Sequence, residues 1–238
     1  MIRITERPLG LAYNMNMQER TGRSSTARTL VAALVGYLMG TLPSADLAAR
    51  GAARRNGTPH HDLREHGTGN PGGLNASKVL GTKWGMAVMA ADIAKGAAAS
   101  IAGRRIAGDA GAYAAGAGAV IGHCLPVWSG FRGGKGIATS AGTAAVCFPA
   151  YTPFDLAVAG GTLGLSRGQA NLAAFMSSSI FTAASFLWWR RGRGNLWGPA
   201  PTRGLPVYAA LTSAVICWRF YSARQRTPVA SNTTPVSA

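Results

Sequence analysis

Long apolar segments alternate with short polar, glycine-rich segments along this chain of 238 residues. Five apolar segments have close to the ~20 residues that a helix needs to cross the hydrocarbon core of a bilayer. They cover residues 29–49, 84–102, 110–128, 170–189 and 204–220. A further stretch, 137–165, is long enough for two short or tilted helices, with Pro149 and Pro153 at the expected break. The pattern predicts an all-α, polytopic integral membrane protein with about seven transmembrane helices.

The amino-acid composition supports insertion into a membrane. Hydrophobic residues make up 47% of the chain and charged residues only 13%, against about 25% charged residues in a typical soluble domain. Many of the apolar segments are rich in alanine and glycine, which favours close packing of helices in lipid. A soluble, alanine-rich helical bundle is the alternative.

The formal net charge of +16 limits the classes of partner. A protein this basic is suited to nucleic acid, an anionic membrane surface or small anions. Because apolar segments interrupt the basic residues, they do not cluster on one soluble face, and we expect no nucleic-acid partner. Residues 50–83 hold six basic and two acidic residues, so the positive-inside rule predicts that this segment is cytoplasmic.

Both ends of the chain differ from its apolar centre. Residues 1–28 contain five arginines and lack the pattern of a signal peptide. We expect 1–28 to be a disordered basic extension and 227–238 to be a disordered tail, with one membrane domain over 29–226. The three cysteines have unrelated spacings and are expected to be packing residues.

The polar segment 64–81 reads REHGTGNPGGLNASKVLG. Glycines let backbone N–H groups approach an anion closely, and hydroxyl, amide and ammonium groups add further donors. The candidate anion-binding residues are Gly67, Thr68, Gly69, Asn70, Asn75 and Lys78. The formal match to a dinucleotide-binding motif is weak, because no strand precedes it and Pro71 lies within it. A turn-rich connecting loop is the alternative.

A second polar segment, 122–136, reads GHCLPVWSGFRGGKG. A lysine among glycines suits a phosphate clamp, and an adjacent arginine adds a second cation. The candidate residues are Arg132, Gly133, Gly134, Lys135 and Gly136. The segment fails the P-loop pattern, since Ser129 stands where the first glycine should be and Gly136 replaces the hydroxyl residue that binds magnesium. We therefore expect no nucleotide hydrolysis.

Ionisable residues also occur within the apolar segments. Asp92 and Lys95 lie three positions apart and share one helix face. Since charges in lipid are costly, we expect an ion pair that supports the site, with a proton relay as the alternative. His123 suits a packing role and a catalytic role equally well. The histidines at 60, 61 and 66 match no zinc motif, so no metal is expected.

These motifs resemble the bacterial membrane acyltransferases that use acyl-phosphate to acylate glycerol 3-phosphate, the PlsY family. The matching segments are Gly40–Pro43, Asp62–Arg64, Gly67–Asn75, Asp92 with Lys95 and Gly96, Gly122-His123 and Gly130–Gly136. They occur in the right order and spacing. The resemblance implies seven membrane helices in a bacterial cell membrane, with the motif loops at the cytoplasmic face.

The resemblance also implies a reaction, in which a fatty acyl group passes to the sn-1 hydroxyl of glycerol 3-phosphate and yields lysophosphatidic acid and phosphate. Residues 29–226 would then form the acyltransferase domain. Residues at positions with catalytic roles are Thr68, His123 and Lys135, and residues at further motif positions are Arg64, Asn70, Asn75 and Lys78. The family implies no metal or other cofactor, because the phosphate of the acyl-phosphate takes the hydroxyl proton.

The chain departs from the family pattern near its C-terminus. A third motif of His-Arg-x-Asn-Ile type has no counterpart, and residues 218–224 take its place, with Phe220 and Ala223 where His and Asn are expected. Lys78 replaces an arginine and loses the ability to bind phosphate through two parallel hydrogen bonds. Two alternatives follow, a catalytically weak or inactive membrane relative and a transporter of organic phosphate.

Overall fold

The computed structural model describes residues 9–225, and it describes side chains for residues 25–223. The described residues form eight α-helices and a single 3₁₀ turn at Val127–Ser129, with no strand among them. The helices are α1 (Leu9–Gly40), α2 (Ser44–Asn56), α3 (Gly73–Leu80), α4 (Thr82–Cys124), α5 (Ile137–Cys147), α6 (Thr152–Leu165), α7 (Ala170–Arg190) and α8 (Gly204–Gln225). The predicted all-α fold class is confirmed.

Helix α4 consists of two antiparallel halves. Ala107 and Gly108 have non-helical backbone angles, and the φ of Gly108 is +62°. Gly103 and Gly111 face each other across this turn so closely that a Cβ added to either would overlap the backbone of the other. The two halves, 82–106 and 109–124, correspond to two of the predicted apolar segments.

The first apolar segment differs from its prediction at the C-terminal end. One span was expected over 29–49, but α1 ends at Gly40 and α2 begins at Ser44. The reason is Pro43, which lacks an N–H group and disfavours helical angles at Leu42 before it. The break separates the apolar α1 from the short α2, in which four of the five alanines are buried and the arginines are exposed.

The domain bounds expected from the sequence stay predictions. Helix α1 begins at Leu9, and its residues 9–28 contain no proline and many good helix formers. Residues 1–8 and the tail 226–238 lie outside the described residues.

The predicted break within 137–165 is present. Helices α5 and α6 are separated by residues 148–151, which include Pro149, while Pro153 lies in the first turn of α6. With the halves of α4 counted separately, and without the short helices α2 and α3, the described residues contain seven mainly apolar helical segments. By length and composition, three stretches of the described residues are long and apolar enough to cross a membrane, namely Ser25–Asn56, Thr82–Ser129 and Ala170–Arg190.

Small residues bring α1 directly onto the second half of α4. A Cβ added to any of four glycines would overlap the backbone of the facing helix. The pairs are Gly36 with Ala115, Gly40 with Ala119, Gly118 with Ala33, and Gly122 with Tyr37. Lipid provides no hydrophobic drive for helices to associate, and such close approach supplies the dispersion contacts that hold them together.

An aromatic cluster packs the remaining helices together. Phe148, Phe181 and Tyr208 are buried, and the ring centroid of Phe181 lies 5.7 Å from that of Phe148 and 6.2 Å from that of Tyr208. The Tyr208 hydroxyl forms a hydrogen bond of 2.6 Å with Thr143 Oγ1, so its polar group is satisfied inside the bundle. The cluster joins α5, α7 and α8.

The loops form two groups at the two ends of the helices. We call residues 57–72 and 125–136 the motif loops, and residues 191–203 the opposite loop. The opposite loop contacts the turn of α4, because Arg104 donates to the Trp197 carbonyl at 2.9 Å and the Ala200 N–H donates to Asp109 at 3.0 Å. The second half of α4 runs from this turn to the second motif loop, and the first half runs from α3, which follows the first motif loop, to the turn. The motif loops therefore lie at the other end.

Candidate functional site

The two motif loops meet. Arg64 Nε donates to the carbonyl oxygen of Arg132 at 2.9 Å, across 68 positions of sequence. Nearby, Trp128 Nε1 donates to Thr41 Oγ1 at 2.9 Å and ties the second loop to the break after α1. The expectation that both loops lie on one side of the membrane therefore agrees with their direct contact.

The side chain of Arg64 is used mainly by the protein itself. It forms two bonds to the Asp46 carboxylate, at 2.7 and 3.1 Å, and a third contact of 3.2 Å to Asp62. With the bond to Arg132, four of its five N–H donors have protein partners. These contacts join α2 to both motif loops, and the phosphate-binding role expected for Arg64 stays a prediction.

The same contacts determine the charge states of Asp62 and Arg64. Burial alone would raise the pKa of Asp62, but the backbone N–H and the positive charge of Arg64 lower it below its ordinary value. Burial alone would lower the pKa of Arg64, but its hydrogen bonds to Asp46 raise this pKa overall. Both groups are therefore ionised at neutral pH.

Asn75 holds the first motif loop in shape from inside. Its Oδ1 accepts the Thr68 N–H at 2.7 Å, and its Nδ2 donates to the carbonyl oxygens of Leu63 and His66 at 2.9 and 3.0 Å. The side chain is buried and these contacts with backbone hold it, while its expected contact with an anion stays a prediction. Gly67 has a φ of +63°, and a Cβ there would overlap the Asn75 amide.

The outer residues of the first motif loop have unused polar groups. Thr68 and Lys78 are exposed and Asn70 is half-buried. In the described part of the chain their side chains make no hydrogen bond, whereas the Thr68 backbone is held by Asn75. Gly69 adopts a φ of +68°, which turns the loop sharply at this point. These side chains are available to a ligand.

The glycines of the second motif loop lie directly on the end of α4. The Gly134 N–H donates to the carbonyl oxygen of His123 at 3.1 Å. A Cβ added to Gly134 would overlap the His123 ring, and one added to Gly133 would overlap the His123 carbonyl. Gly136, with a φ of +86°, begins α5. Close packing therefore requires these glycines.

Lys135 is a half-buried cation with no acidic partner in the described part of the chain. Its Nζ lies 4.3 Å from the centroid of the Phe220 ring. Burial lowers the pKa of Lys135, and the nearby positive charge of Arg219 lowers it further. A bound anion would offset both effects, because it stabilises the charged form of lysine. Arg132, next to it, is exposed, and its side chain makes no hydrogen bond within the same residues.

A buried charged cluster lies beneath the second motif loop. Lys95 Nζ is 2.8 Å from Asp92 Oδ1, so the predicted ion pair is present. Lys95 also donates to the Leu42 carbonyl at 3.0 Å, at the break after α1, and His123 Nδ1 is 3.5 Å from Asp92. His123 is enclosed by Asp92 on one side and Gly134 on the other. This environment favours a packing role for His123 over direct catalysis.

Sequence reasoning missed Arg219. Its guanidinium donates to the carbonyl oxygens of Gly133 and Gly134, the latter at 3.1 Å. The segment 218–224 was considered to lack its motif, yet it contributes Arg219 and Phe220 to the surroundings of Lys135. One signal was present in the sequence, because an arginine inside a predicted membrane segment indicates a polar partner there.

The histidines near the first motif loop contact one another and the backbone. His61 Nδ1 is 3.3 Å from His66 Nε2, and His66 Nδ1 is 2.8 Å from the carbonyl oxygen of Asp62. The Asp62 carboxylate faces Arg64. Across residues 25–223, no three His, Cys, Asp or Glu side chains are grouped so that they would hold a metal ion.

Comparison with known sequences identifies related proteins. A family model described as glycerol-3-phosphate acyltransferase matches residues 30–228. A glycerol-3-phosphate acyltransferase of Thermoanaerobacter sp. (strain X514) is 34% identical over 160 residues, which are 67% of this chain and 77% of that protein. One from Streptococcus equi subsp. zooepidemicus is 37% identical over 161 residues, 65% of this chain and 72% of that protein.

Comparison with solved structures agrees with the match to the family model. The crystal structure of PlsY, described as an integral membrane glycerol 3-phosphate acyltransferase in its glycerol 3-phosphate form, has a TM-score of 0.65 and 27% sequence identity, covering 83% of this chain and 90% of that one. Its lysophosphatidic acid form gives a TM-score of 0.64 at 26% identity. The family model and the fold together show that this chain, an all-α integral membrane protein, belongs to the glycerol-3-phosphate acyltransferase family.

Proposed function

We propose that the protein transfers a fatty acyl group from acyl-phosphate to the sn-1 hydroxyl of glycerol 3-phosphate, within a bacterial cell membrane that its helices cross several times. One observation carries the proposal, namely that two motif loops meet and leave Lys135 half-buried without an acidic partner among the described residues. The related PlsY enzyme is described in forms with glycerol 3-phosphate and lysophosphatidic acid, which supports the acceptor and the product.

The two substrates each carry a phosphate, and the site offers two sets of donors. Thr68, Asn70 and Lys78 lie in or beside the first motif loop with unused side-chain groups. Lys135 and Arg132 lie in the second. We assign one phosphate to each set, with the acyl chain placed between helices or in membrane lipid, where large apolar side chains are exposed. Holding both substrates together accelerates their reaction through proximity.

The proposed step needs no protein base. The hydroxyl oxygen of glycerol 3-phosphate attacks the acyl carbon, and the bond from that carbon to the phosphate oxygen breaks. The hydroxyl proton passes to the departing phosphate, so the products are lysophosphatidic acid and inorganic phosphate. Positive charge near the phosphate stabilises the negative charge that develops on it, and Lys135 is the cation best placed to do so. The atoms balance without a metal or other cofactor.

The test is acyl transfer by purified protein in lipid nanodiscs. Palmitoyl-phosphate and labelled glycerol 3-phosphate are supplied together, and labelled lysophosphatidic acid is measured. We expect product only when both substrates are present. Parallel reactions with palmitoyl-coenzyme A and palmitoyl-acyl carrier protein identify the donor. Product from either of these, and none from palmitoyl-phosphate, would show that the proposed donor is wrong.

A catalytically weak or inactive relative is the second candidate. The observation that favours it is Phe220, which stands where the family motif has a histidine and offers Lys135 an aromatic ring instead of a hydrogen-bonding group. Such a protein would bind glycerol 3-phosphate in calorimetry without forming product. Accumulation of unmodified glycerol 3-phosphate inside sealed vesicles would indicate the transport alternative.

A further inference from the structure

Arg219 joins α8 to two consecutive peptide groups of the second motif loop. Its Nε donates to the Gly134 carbonyl oxygen at 3.1 Å, and its Nη2 donates to the Gly133 carbonyl oxygen. The arginine is 85 positions from Gly134 in sequence, near the C-terminal end of α8. Within residues 25–223, no other side chain bonds to these two carbonyl groups.

These bonds determine the direction of both peptide groups. The C=O and N–H of one trans peptide point in opposite directions. In the first peptide, Arg219 holds the Gly133 C=O while the Gly134 N–H donates to His123. In the second peptide, Arg219 holds the Gly134 C=O, so the Lys135 N–H points away from Arg219. In the described part of the chain this N–H donates to no protein group.

Glycines cannot hold this geometry by themselves. They have no side chains to anchor the loop, and they lose more conformational freedom on folding than any other residue. Other residues are excluded at Gly133 and Gly134, because a Cβ would overlap His123. Without an external anchor, the peptide between Gly134 and Lys135 is free to turn over and present its carbonyl oxygen where its N–H should be. A carbonyl oxygen repels a phosphate, whereas an N–H group binds it.

We infer that Arg219 is a positioning residue of the proposed acyl transfer, which holds the backbone from Gly133 to Lys135 so that the Lys135 N–H and ammonium are both available to a substrate phosphate. This inference rests on the proposed function, because it requires a phosphate at the loop. It assigns to α8 a part in binding that requires no direct contact with substrate.

Arg219 also acts on Lys135 through its charge. The groups around the Lys135 loop are the Phe220 ring and Arg219 from α8, and His123 and Cys124 from the end of α4. The carboxylate of Asp92, which lies 3.5 Å from His123 Nδ1, is paired with Lys95. Burial and the positive charge of Arg219 both lower the pKa of Lys135. Neutralising Arg219 therefore raises this pKa, and replacing Arg219 by lysine leaves it low.

The test compares Arg219→Gln and Arg219→Lys with Arg105→Gln, which has the same charge change at an exposed position beside the turn of α4. The measurement is kcat/KM for glycerol 3-phosphate from about pH 7 to 10.5, a range that spans the titration of lysine. For Arg219→Gln we expect kcat/KM to fall on the order of 10- to 100-fold, and its decline at alkaline pH (the alkaline limb) to move to higher pH. The kcat/KM of Arg219→Lys should also fall, because lysine lacks the planar fork of arginine. Its alkaline limb should stay where that of the unmodified protein lies.

Two outcomes overturn the inference. One is that Arg219→Gln matches Arg105→Gln in both rate and alkaline limb. The other is that both Arg219 variants lose the same activity together with thermal stability, while the alkaline limb stays in place, which indicates a structural role alone. If Arg219→Gln does not fold, Arg219→Lys decides, and a kcat/KM equal to that of the unmodified protein overturns the inference.

Failure of the proposed function is distinguished by binding of inorganic phosphate, the proposed leaving group, measured by calorimetry. If the unmodified protein binds phosphate without acyl transfer, weaker binding by Arg219→Gln than by Arg105→Gln still supports the inference, and equal binding overturns it. If the unmodified protein neither transfers an acyl group nor binds phosphate, the proposed function and the inference both fall.

Discussion

The motif loops and the opposite loop are both basic and rich in glycine, but they use their charges differently. At the end of the molecule with the opposite loop, the arginines of the loop itself are exposed. Arg104, in the turn of α4, is 3.3 Å from Asp109 and also donates to the Trp197 carbonyl. Asp109 in turn accepts the Ala200 N–H. These contacts join the opposite loop to the turn of α4.

The motif loops contain a similar internal framework. Arg64 has two acidic partners, as Arg104 has one. Asn75 bonds to three backbone groups of its loop, and Asn195 of the opposite loop donates to two carbonyl groups. The difference lies in Lys135, which is half-buried, near a second cation, and without an acidic partner in the described region.

The comparison teaches that glycine and basic residues in a loop do not by themselves indicate an anion site. Such residues also occur in the opposite loop, where the arginines are exposed to solvent. A cation that is partly withdrawn from water and left without a counter-charge is the more specific sign, because its burial disfavours the charge until an anion binds. Three pairs of substitutions use this difference between the two ends.

The largest expected effect is on stability and concerns the two ion pairs. Asp92→Asn leaves Lys95 buried without a counter-charge, which we expect to cost about 3–5 kcal/mol in unfolding free energy. Asp109→Asn removes the partner of an exposed pair and should cost about 0–1 kcal/mol. Thermal unfolding in detergent measures both. Equal shifts for the two variants would contradict the importance that we give to the buried cluster.

The next effect is on rate. Lys135→Ala should lower acyl transfer by roughly 30- to 1000-fold, equivalent to about 2–4 kcal/mol of transition-state stabilisation. Its stability should stay the same or rise, because the substitution removes an unpaired cation next to Arg219. Lys135→Arg keeps the charge and should retain part of the activity. The control is Arg105→Ala beside the turn of α4, since Arg104 has partners of its own. If the alanine variants at 135 and 105 are equally active, Lys135 does not clamp a phosphate.

The smallest effect separates two buried asparagines. Asn75→Ala and Asn195→Ala each leave backbone groups without partners, and each should lose about 1–3 kcal/mol of stability. At a temperature where both are folded, only Asn75→Ala should slow acyl transfer, by about 10- to 100-fold, because it displaces the loop that carries Thr68. Steady-state kinetics and unfolding curves are measured on the same preparations. A comparable slowing by Asn195→Ala would mean that the two ends of the molecule are coupled.

Local patterns in the sequence predicted much of the fold. The turn of α4, the break before α6 and the pairing of Asp92 with Lys95 all follow from segment length, proline position or helical spacing, which involve neighbouring residues only. The end of α1 was missed although its signal was local. Pro43 lies inside an apolar run, and the length of the run outweighed the effect of the proline on Leu42.

The framework of the site was not predictable in the same way. Whether Arg64 meets a substrate or Asp46 depends on how α2 folds back on the loop, which no spacing in the sequence records. The contact of Arg219 with Gly134 joins residues that are 85 positions apart. In such cases the residue type indicates that the side chain has a polar partner, but the tertiary packing determines which residue that partner is. The roles assigned to Thr68, His123 and Lys135 stay predictions.

The glycine contacts between α1 and α4 bear on how this sequence can drift during evolution. At Gly36, Gly40 and Gly118, even the single methyl group of alanine overlaps the facing backbone. A change there requires a whole helix to move aside, and that displacement travels along α1 to the Leu42 carbonyl, which holds Lys95. Lipid-facing side chains can therefore change freely during evolution. The residues at the contact between α1 and α4 must be kept, or must change on both helices together.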